Sequence, residues 1–143
     1  MYEYKFKLTR VVDGDTIDGI IDLGFNIHHH ARVRLAAINA PETRLQKSIR
    51  NKKERIAEKQ KGLKAKERLK EILKEGSRQP EGLIIKTHLD KKGKYGRVLG
   101  EILYIYARDL YNANPDPRTK PWIGWKSVNH QLLAEGIVKP YLL

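Results

Sequence analysis

The chain contains no cysteine. That removes disulfides, thiolate metal sites and cysteine nucleophiles from consideration, and it leaves the compartment open. No run of about 18 apolar residues exists, so no membrane span is expected. The opening segment MYEYKFKLTR lacks an apolar h-region, so no signal peptide is expected in this chain. A cytoplasmic setting is therefore favoured, with a secreted mature form as the alternative. No internal repeat or low-complexity tract stands out. The 143 residues are 40% apolar, which suits a single domain over residues 1–143 built around one core.

What is abundant is positive charge. The net charge is +12 and the pI is near 9.9. A field of that sign attracts polyanions, meaning nucleic acid, an acidic membrane surface or an acidic protein. The excess is uneven: from Arg44 to Arg78 there are fourteen Lys or Arg against five Glu, which is +9 of the total. Such a segment is either a phosphate-tracking face or a solvated helix laced with i,i+4 pairs.

Tyr2 to Val12 alternates apolar and polar residues and predicts a strand. DGDT (13–16) predicts a tight turn, with Gly14 free to take positive φ. TIDGIIDLGF and HARVRLAAI predict two more strands, with Gly24 marking the end of the first or a bulge. Together they form an antiparallel meander. Pro41 ends the run. Arg44 to Lys53 reads as an irregular, mobile loop. Glu54 to Glu75 reads as a helix with Ala65, Leu69, Ile72 and Leu73 on one face and Gly76 as its C-cap. LIIKTHL and RVLGEILYIYA predict strands four and five. Asn112 to Ile123 reads as a long loop, and SVNHQLLAEG as a second helix capped by Ser127 and stopped at Gly136. Three strands, a helix, two strands and a helix is the order of an OB-type barrel, a fold that often binds single-stranded nucleic acid.

Several residues carry candidate chemistry. Asp13 and Asp15 lie two apart at a strand turn, where a hard divalent cation relieves carboxylate repulsion. The plainer reading is a turn in which Asp13 caps backbone N–H groups. In RVRLAAINAPETR (32–44), Arg34 presents a planar fork suited to phosphate and Glu42 a base able to take a proton from water. A simple Arg34–Glu42 salt bridge is the alternative. Arg97 is a second candidate phosphate ligand or else a solvated strand arginine. His28 and His30 share a strand face but lack a nearby carboxylate, which makes a weak zinc site. Trp122 and Trp125, read as part of the loop before the last helix, either stack on bases or pin that loop to the barrel.

VVDGDTI, VRLAAINAPET and DKKGKYGRVLGEI, with the helix GLKAKERLKEIL and the tail VNHQLLAEGIVKPY, resemble the staphylococcal nuclease (thermonuclease) family. The resemblance implies a five-stranded OB barrel with two helices. It implies a Ca²⁺-dependent endonuclease acting on DNA and RNA with little sequence preference and leaving 3′-phosphate ends, most simply as a monomer. By motif position, Asp15, Asn39 and the backbone carbonyl of Ala40 correspond to the metal ligands. Glu42 corresponds to the general base, Arg34 and Arg97 to the arginines that grip the phosphate, and Lys94 and Tyr95 to residues near the nucleotide. Two departures stand out. Asn39 replaces a customary aspartate, which lowers the expected Ca²⁺ affinity and leaves a weakly active or inactive nucleic-acid-binding module as the rival; Asp18, by strand alternation, faces away from Asp15. Asn112 to Ile123 is inserted before the last helix, and the chain stops where fuller members of the family continue into another helix, so the core is expected to close with fewer elements.

Overall fold

The alternation of Tyr4, Phe6 and Leu8 with lysines and threonine becomes strand β1 (Glu3–Asp13). Its inward set changes phase, from Phe6 to Val11, because register shifts fall between Leu8 and Arg10 and between Val11 and Asp13. Such bulges bend a strand sharply enough to share it between two neighbours. β1 pairs antiparallel with β2 (Thr16–Asp22) along one edge and with β5 (Leu83–His88) along the other. β2 pairs with β3 (His28–Leu35), and β5 with β6 (Val98–Ala107), all antiparallel. A parallel pairing of β3 with β6, Val33 against Val98 through Leu35 against Gly100, closes the barrel. The computed structural model describes residues 2–79, 81–88, 97–107 and 123–141. Within these residues the architecture is the expected closed five-stranded mixed barrel with two helices, α1 (Lys52–Ser77) and α2 (Val128–Ala134).

Three short strands add to the expected five. β4 (Ile38–Asn39) pairs antiparallel with β8 (Lys139–Pro140), and β7 (Ile123–Ser127) extends the sheet from the outer edge of β6. Trp125 therefore lies in a strand opposite Ile105, half exposed, rather than in a loop. Most of the expected 112–123 loop, including Trp122, lies outside the described residues.

The core is the inward set Ile17, Ile21, Val33, Leu35, Ile85, Ile102 and Tyr104, covered by Ala65, Leu69, Ile72 and Leu73 of α1. Those four helix residues are fully buried, as their spacing implies. A leucine buried to that degree contributes about 1.5–3 kcal/mol. Upstream of Gly62, α1 has no fully buried residue and projects beyond the barrel. Asn51, not a residue near Glu54, starts the helix: its side chain accepts from the Lys53 N–H at 2.9 Å. The segment before it is also tied, because the Arg55 guanidinium donates twice to the Ile49 carbonyl.

Two glycine readings need correction. Gly14 does not occupy positive φ. It is small because a Cβ there would fall 2.7 Å from that of Ala65 and 2.8 Å from that of Ala40, so helix and turn meet over bare backbone. Gly76 is not the helix cap; the helix runs one residue further, to a cap at Arg78. Gly76 is buried where a Cβ would strike Leu83 and Tyr104. Gly136 does end α2 in the left-handed region (φ 72°), with Ile137 N–H returning to the Leu132 carbonyl.

Candidate active site

The turn between β1 and β2 and the turn between β3 and β4 meet at one end of the barrel, and Asp15 stitches them. Asp15 is only 9% exposed. Its Oδ1 accepts the Thr16 hydroxyl at 2.9 Å, and its Oδ2 accepts the Ala40 N–H at 2.9 Å. Its own carbonyl accepts the Leu35 N–H at 2.8 Å. A buried carboxylate with hydrogen bonds on both oxygens is rigid and stays within the fold.

Arg34 reaches the same place from β3. Its Nη1 lies 3.4 Å from Asp15 Oδ2, and its Nη2 donates to Asn39 Oδ1 at 3.4 Å. Nη1 also donates to the Leu35 carbonyl at 3.3 Å, and the guanidinium lies 5.8 Å from the centre of the Tyr141 ring. Arg34 is thus paired with Asp15. Glu42 takes part in no ion pair among the described residues, so the simple Arg34–Glu42 bridge is not formed. Asp15, Arg34, Asn39 and Ala40 come together. The Ala40 group turned towards Asp15 is its N–H, not its carbonyl.

Glu42 is exposed beside this cluster, and its backbone is set by two contacts that sequence reasoning missed. A Cβ on Gly62 of α1 would fall 2.0 Å from the Glu42 carbonyl oxygen and 2.8 Å from that of Pro41. The helix therefore rests directly on the Pro41–Glu42 backbone. On the next residue, the Thr43 hydroxyl donates to Asp13 Oδ1 at 2.8 Å. Asp13 and Asp15 accordingly divide the work: one holds the segment after Pro41, the other holds Ala40 and Arg34. Neither contact leaves a periodic trace in the sequence. The one available signal was a glycine in the middle of an otherwise strong helix, which costs about 1 kcal/mol against alanine and calls for a packing reason.

The β3–β4 turn is clamped from behind. Ala37 is left-handed (φ 64°), an unfavourable state for a residue with a Cβ. Buried Asn129 of α2 donates from Nδ2 to the Ala36 carbonyl at 2.9 Å and to the Gly100 carbonyl at 3.3 Å, while its Oδ1 accepts the Ile102 N–H at 3.2 Å. Tyr141 N–H donates to the Ala37 carbonyl. Arg97 immediately precedes β6, two residues before the Leu99 that sits opposite Arg34 on β3, and its side chain is half-buried. Lys94 and Tyr95 lie outside the described residues.

The remaining candidates separate from this cluster. Asp18 is held by a bidentate Arg32 at 2.8 and 3.1 Å, whose hydrogen bonds hold the Asp18 carboxyl below its usual pKa of 3.8. It is therefore committed elsewhere, as alternation implied. His28, His29 and His30 are exposed along β3. Among the described residues no three His, Cys, Asp or Glu side chains gather as a metal-binding group, so the histidines lack the partners a zinc site needs.

A small closed barrel with polar residues gathered at one rim defines the OB class of nucleic-acid-associated proteins. Within it, the chain belongs to the family of staphylococcal nuclease homologues, whose model matches residues 32–142. That span contains Arg34, Asn39, Ala40, Glu42 and Arg97, while Asp15 precedes it. The family is one of nucleases, so nucleic acid is the substrate class it implies. A comparison with curated proteins finds no match. Among the described residues no helix is long and apolar enough to cross a membrane.

Proposed function

We propose that the protein is a metal-dependent phosphodiesterase that cuts DNA and RNA with little sequence preference. The observation that carries this reading is the convergence of Asp15 and Asn39 oxygens on one Arg34 guanidinium, both at 3.4 Å, beside an exposed Glu42 whose backbone rests on α1. An anionic diester docks by its oxygens on Arg34, with Arg97 contributed from just before β6. An arginine fork recognises phosphate by shape as well as charge. Glu42 takes a proton from water as the water oxygen bonds to phosphorus. The P–O5′ bond breaks, and the departing oxygen takes up a proton from solvent. Positioned proton transfer of this kind contributes about 10²–10⁴-fold.

The donor set suits a hard cation. Asp15 carboxylate and Asn39 amide supply oxygens, the preference of Ca²⁺; the Ala40 carbonyl is the third oxygen the family pattern implies, while the Ala40 N–H is the group that meets Asp15. The set carries a single negative charge, and Arg34 already neutralises it in part, so Ca²⁺ affinity is low. When bound, Ca²⁺ would supply Lewis-acid neutralisation of the phosphate charge.

Plasmid and single-stranded RNA incubated with millimolar Ca²⁺, then with chelator, test the reading. Both should be degraded in the first case only. Glu42→Gln is expected to lose at least about 10²-fold in rate while keeping its affinity for DNA. A wild-type rate in that variant removes Glu42 from the reaction. One observation favours a second reading, a binding module without turnover: Asn39 supplies no charge and its oxygen is already engaged by Arg34. Intact plasmid at high protein and high Ca²⁺ would select that alternative.

A further inference from the structure

The nine excess positive charges between Arg44 and Arg78 are not equivalent once the chain is folded. Lys61 and Lys64 of α1 turn towards the segment after Pro41 and, with it, bound an open cleft of about 1060 Å³. Arg44 and Lys47 line the facing wall. Lys139 lines the third side from β8, directly across the pairing from Asn39. The cleft therefore begins at the candidate active site, since Asn39, Ala40 and Glu42 are part of its wall. Five cations meet two carboxylates there, Glu42 and Glu58. Only Lys61 is committed, to Glu58 at 3.3 Å; Arg44, Lys47, Lys64 and Lys139 form no ion pair among the described residues. Elsewhere on the same helix, Lys70 is paired with Glu67, and Arg68 with Glu71 and Glu135.

Exposed cations gathered around a groove in excess of its carboxylates repel one another, and a polyanion relieves that repulsion. The cleft also has apolar wall. Pro41, Leu45 and Ile137 line it, and Leu45 is 51% exposed. A duplex hides its base faces and leaves such surface without a partner, whereas a single strand presents them. We propose that this cleft is a track for single-stranded nucleic acid, holding the phosphates that flank the linkage at the active site, with Arg44, Lys47, Lys64 and Lys139 as the phosphate ligands. The track rests on the phosphodiesterase reading for its direction towards Glu42, but not for its chemistry.

The test is binding of a fluorescent oligothymidylate, longer than the roughly 4–16 nucleotides a single OB barrel spans, followed by anisotropy across a salt series in chelator so that nothing is cleaved. Each phosphate neutralised on a single strand contributes about −0.7 to the log–log salt slope. Lys47→Gln with Lys64→Gln should shrink the slope by roughly 1.4. Lys70→Gln with Lys74→Gln removes the same charge from α1 outside the cleft and should shrink it by less than half as much. Equal losses in both pairs, or no loss in the cleft pair, overturn the track. Tighter cleft-dependent binding of a duplex than of a single strand overturns the assignment to single strands. Cleavage is assayed separately on the wild-type protein. Cleavage with an unchanged slope in the cleft pair refutes the track alone; no cleavage with the expected slope loss refutes the phosphodiesterase reading alone.

Discussion

In the proposed reaction, Asn39 is the residue that sets the charge of the metal site. An aspartate there adds a second negative charge beside Asp15, and calcium sites are tuned by the number of charged ligands. Asn39→Asp is expected to tighten Ca²⁺ binding by about tenfold or more, equivalent to a gain of about 1.4 kcal/mol. Calorimetric titration with Ca²⁺ checks it. Unchanged affinity would mean that Arg34, 3.4 Å from the Asn39 oxygen, absorbs the new charge. Gly62 poses the complementary question for Glu42. Glycine to alanine inside a helix ordinarily gains about 1 kcal/mol. Here the new methyl group would fall 2.0 Å from the Glu42 carbonyl oxygen, which belongs to backbone and cannot swing aside. Gly62→Ala should therefore destabilise the fold and reduce kcat beyond its effect on stability, because Glu42 moves. Gly76→Ala, which meets only side chains of Leu83 and Tyr104, is the control: it should lower the melting temperature and leave kcat of the folded protein intact.

At the scale of elements, the two helices are linked by one bidentate ion pair. Arg68 of α1 donates to both oxygens of Glu135, just past α2, at 2.6 and 3.1 Å, and to Glu71 at 2.9 Å. The Arg68 hydrogen bonds hold the Glu135 carboxyl below its usual value of 4.5. A carboxyl whose pKa is depressed by folding adds stability that is complete above its unfolded value. That stability is lost as pH falls through the folded value. The wild type should therefore lose stability relative to Glu135→Gln as pH drops below about 4.5. Above that, the variant should be less stable by about 1 kcal/mol at most, since both partners are about a third exposed. Denaturant titrations of the pair at neutral and acid pH measure this, and a difference independent of pH would remove the ion pair from the helix–helix contact.

At the scale of the whole molecule, Asn129 joins pieces far apart in sequence: the turn between β3 and β4, strand β6 and helix α2. Asn129→Leu removes all three hydrogen bonds at once. It leaves the Ala36 carbonyl and the Ile102 N–H facing an apolar side chain, at about 1–3 kcal/mol for each buried group left unmatched. A loss of several kcal/mol in one cooperative transition is expected by chemical denaturation. Because the same residue braces the turn between Arg34 and Asn39, activity should fall with it. The charge distribution belongs to this scale too. The fourteen cations of residues 44–78 are one continuous run in the sequence. Folding places Arg44, Lys47, Lys61 and Lys64 around a cleft that opens from the barrel rim, and pairs Arg68 and Lys70 with acids further along α1.

Much of this was readable along the chain. Alternation at Tyr4, Phe6 and Leu8 announced a strand, the spacing of Ala65, Leu69, Ile72 and Leu73 announced a buried helix face, and Ser127 and Gly136 marked a helix start and stop. These are local signals, because a period of two or of 3.6 residues is imposed by the backbone geometry of each element. The motifs around Asp15, Arg34 and Glu42 likewise pointed to the family. The extra strands β4, β7 and β8 were not readable, since their pairing partners lie far away in sequence and short segments carry no period. The roles of Gly14, Gly62 and Gly76 were not readable either: the sequence shows a missing side chain, and only packing reveals which neighbour occupies its space. Local patterning alone set the five barrel strands, the two helices, their order and the chemical types available at the rim. The tertiary structure decided which of those groups meet, that Asp13 serves Thr43 while Asp15 serves Ala40 and Arg34, and which lysines share a cleft. Contacts between distant segments depend on how the barrel closes, and closure is a property of all its strands together.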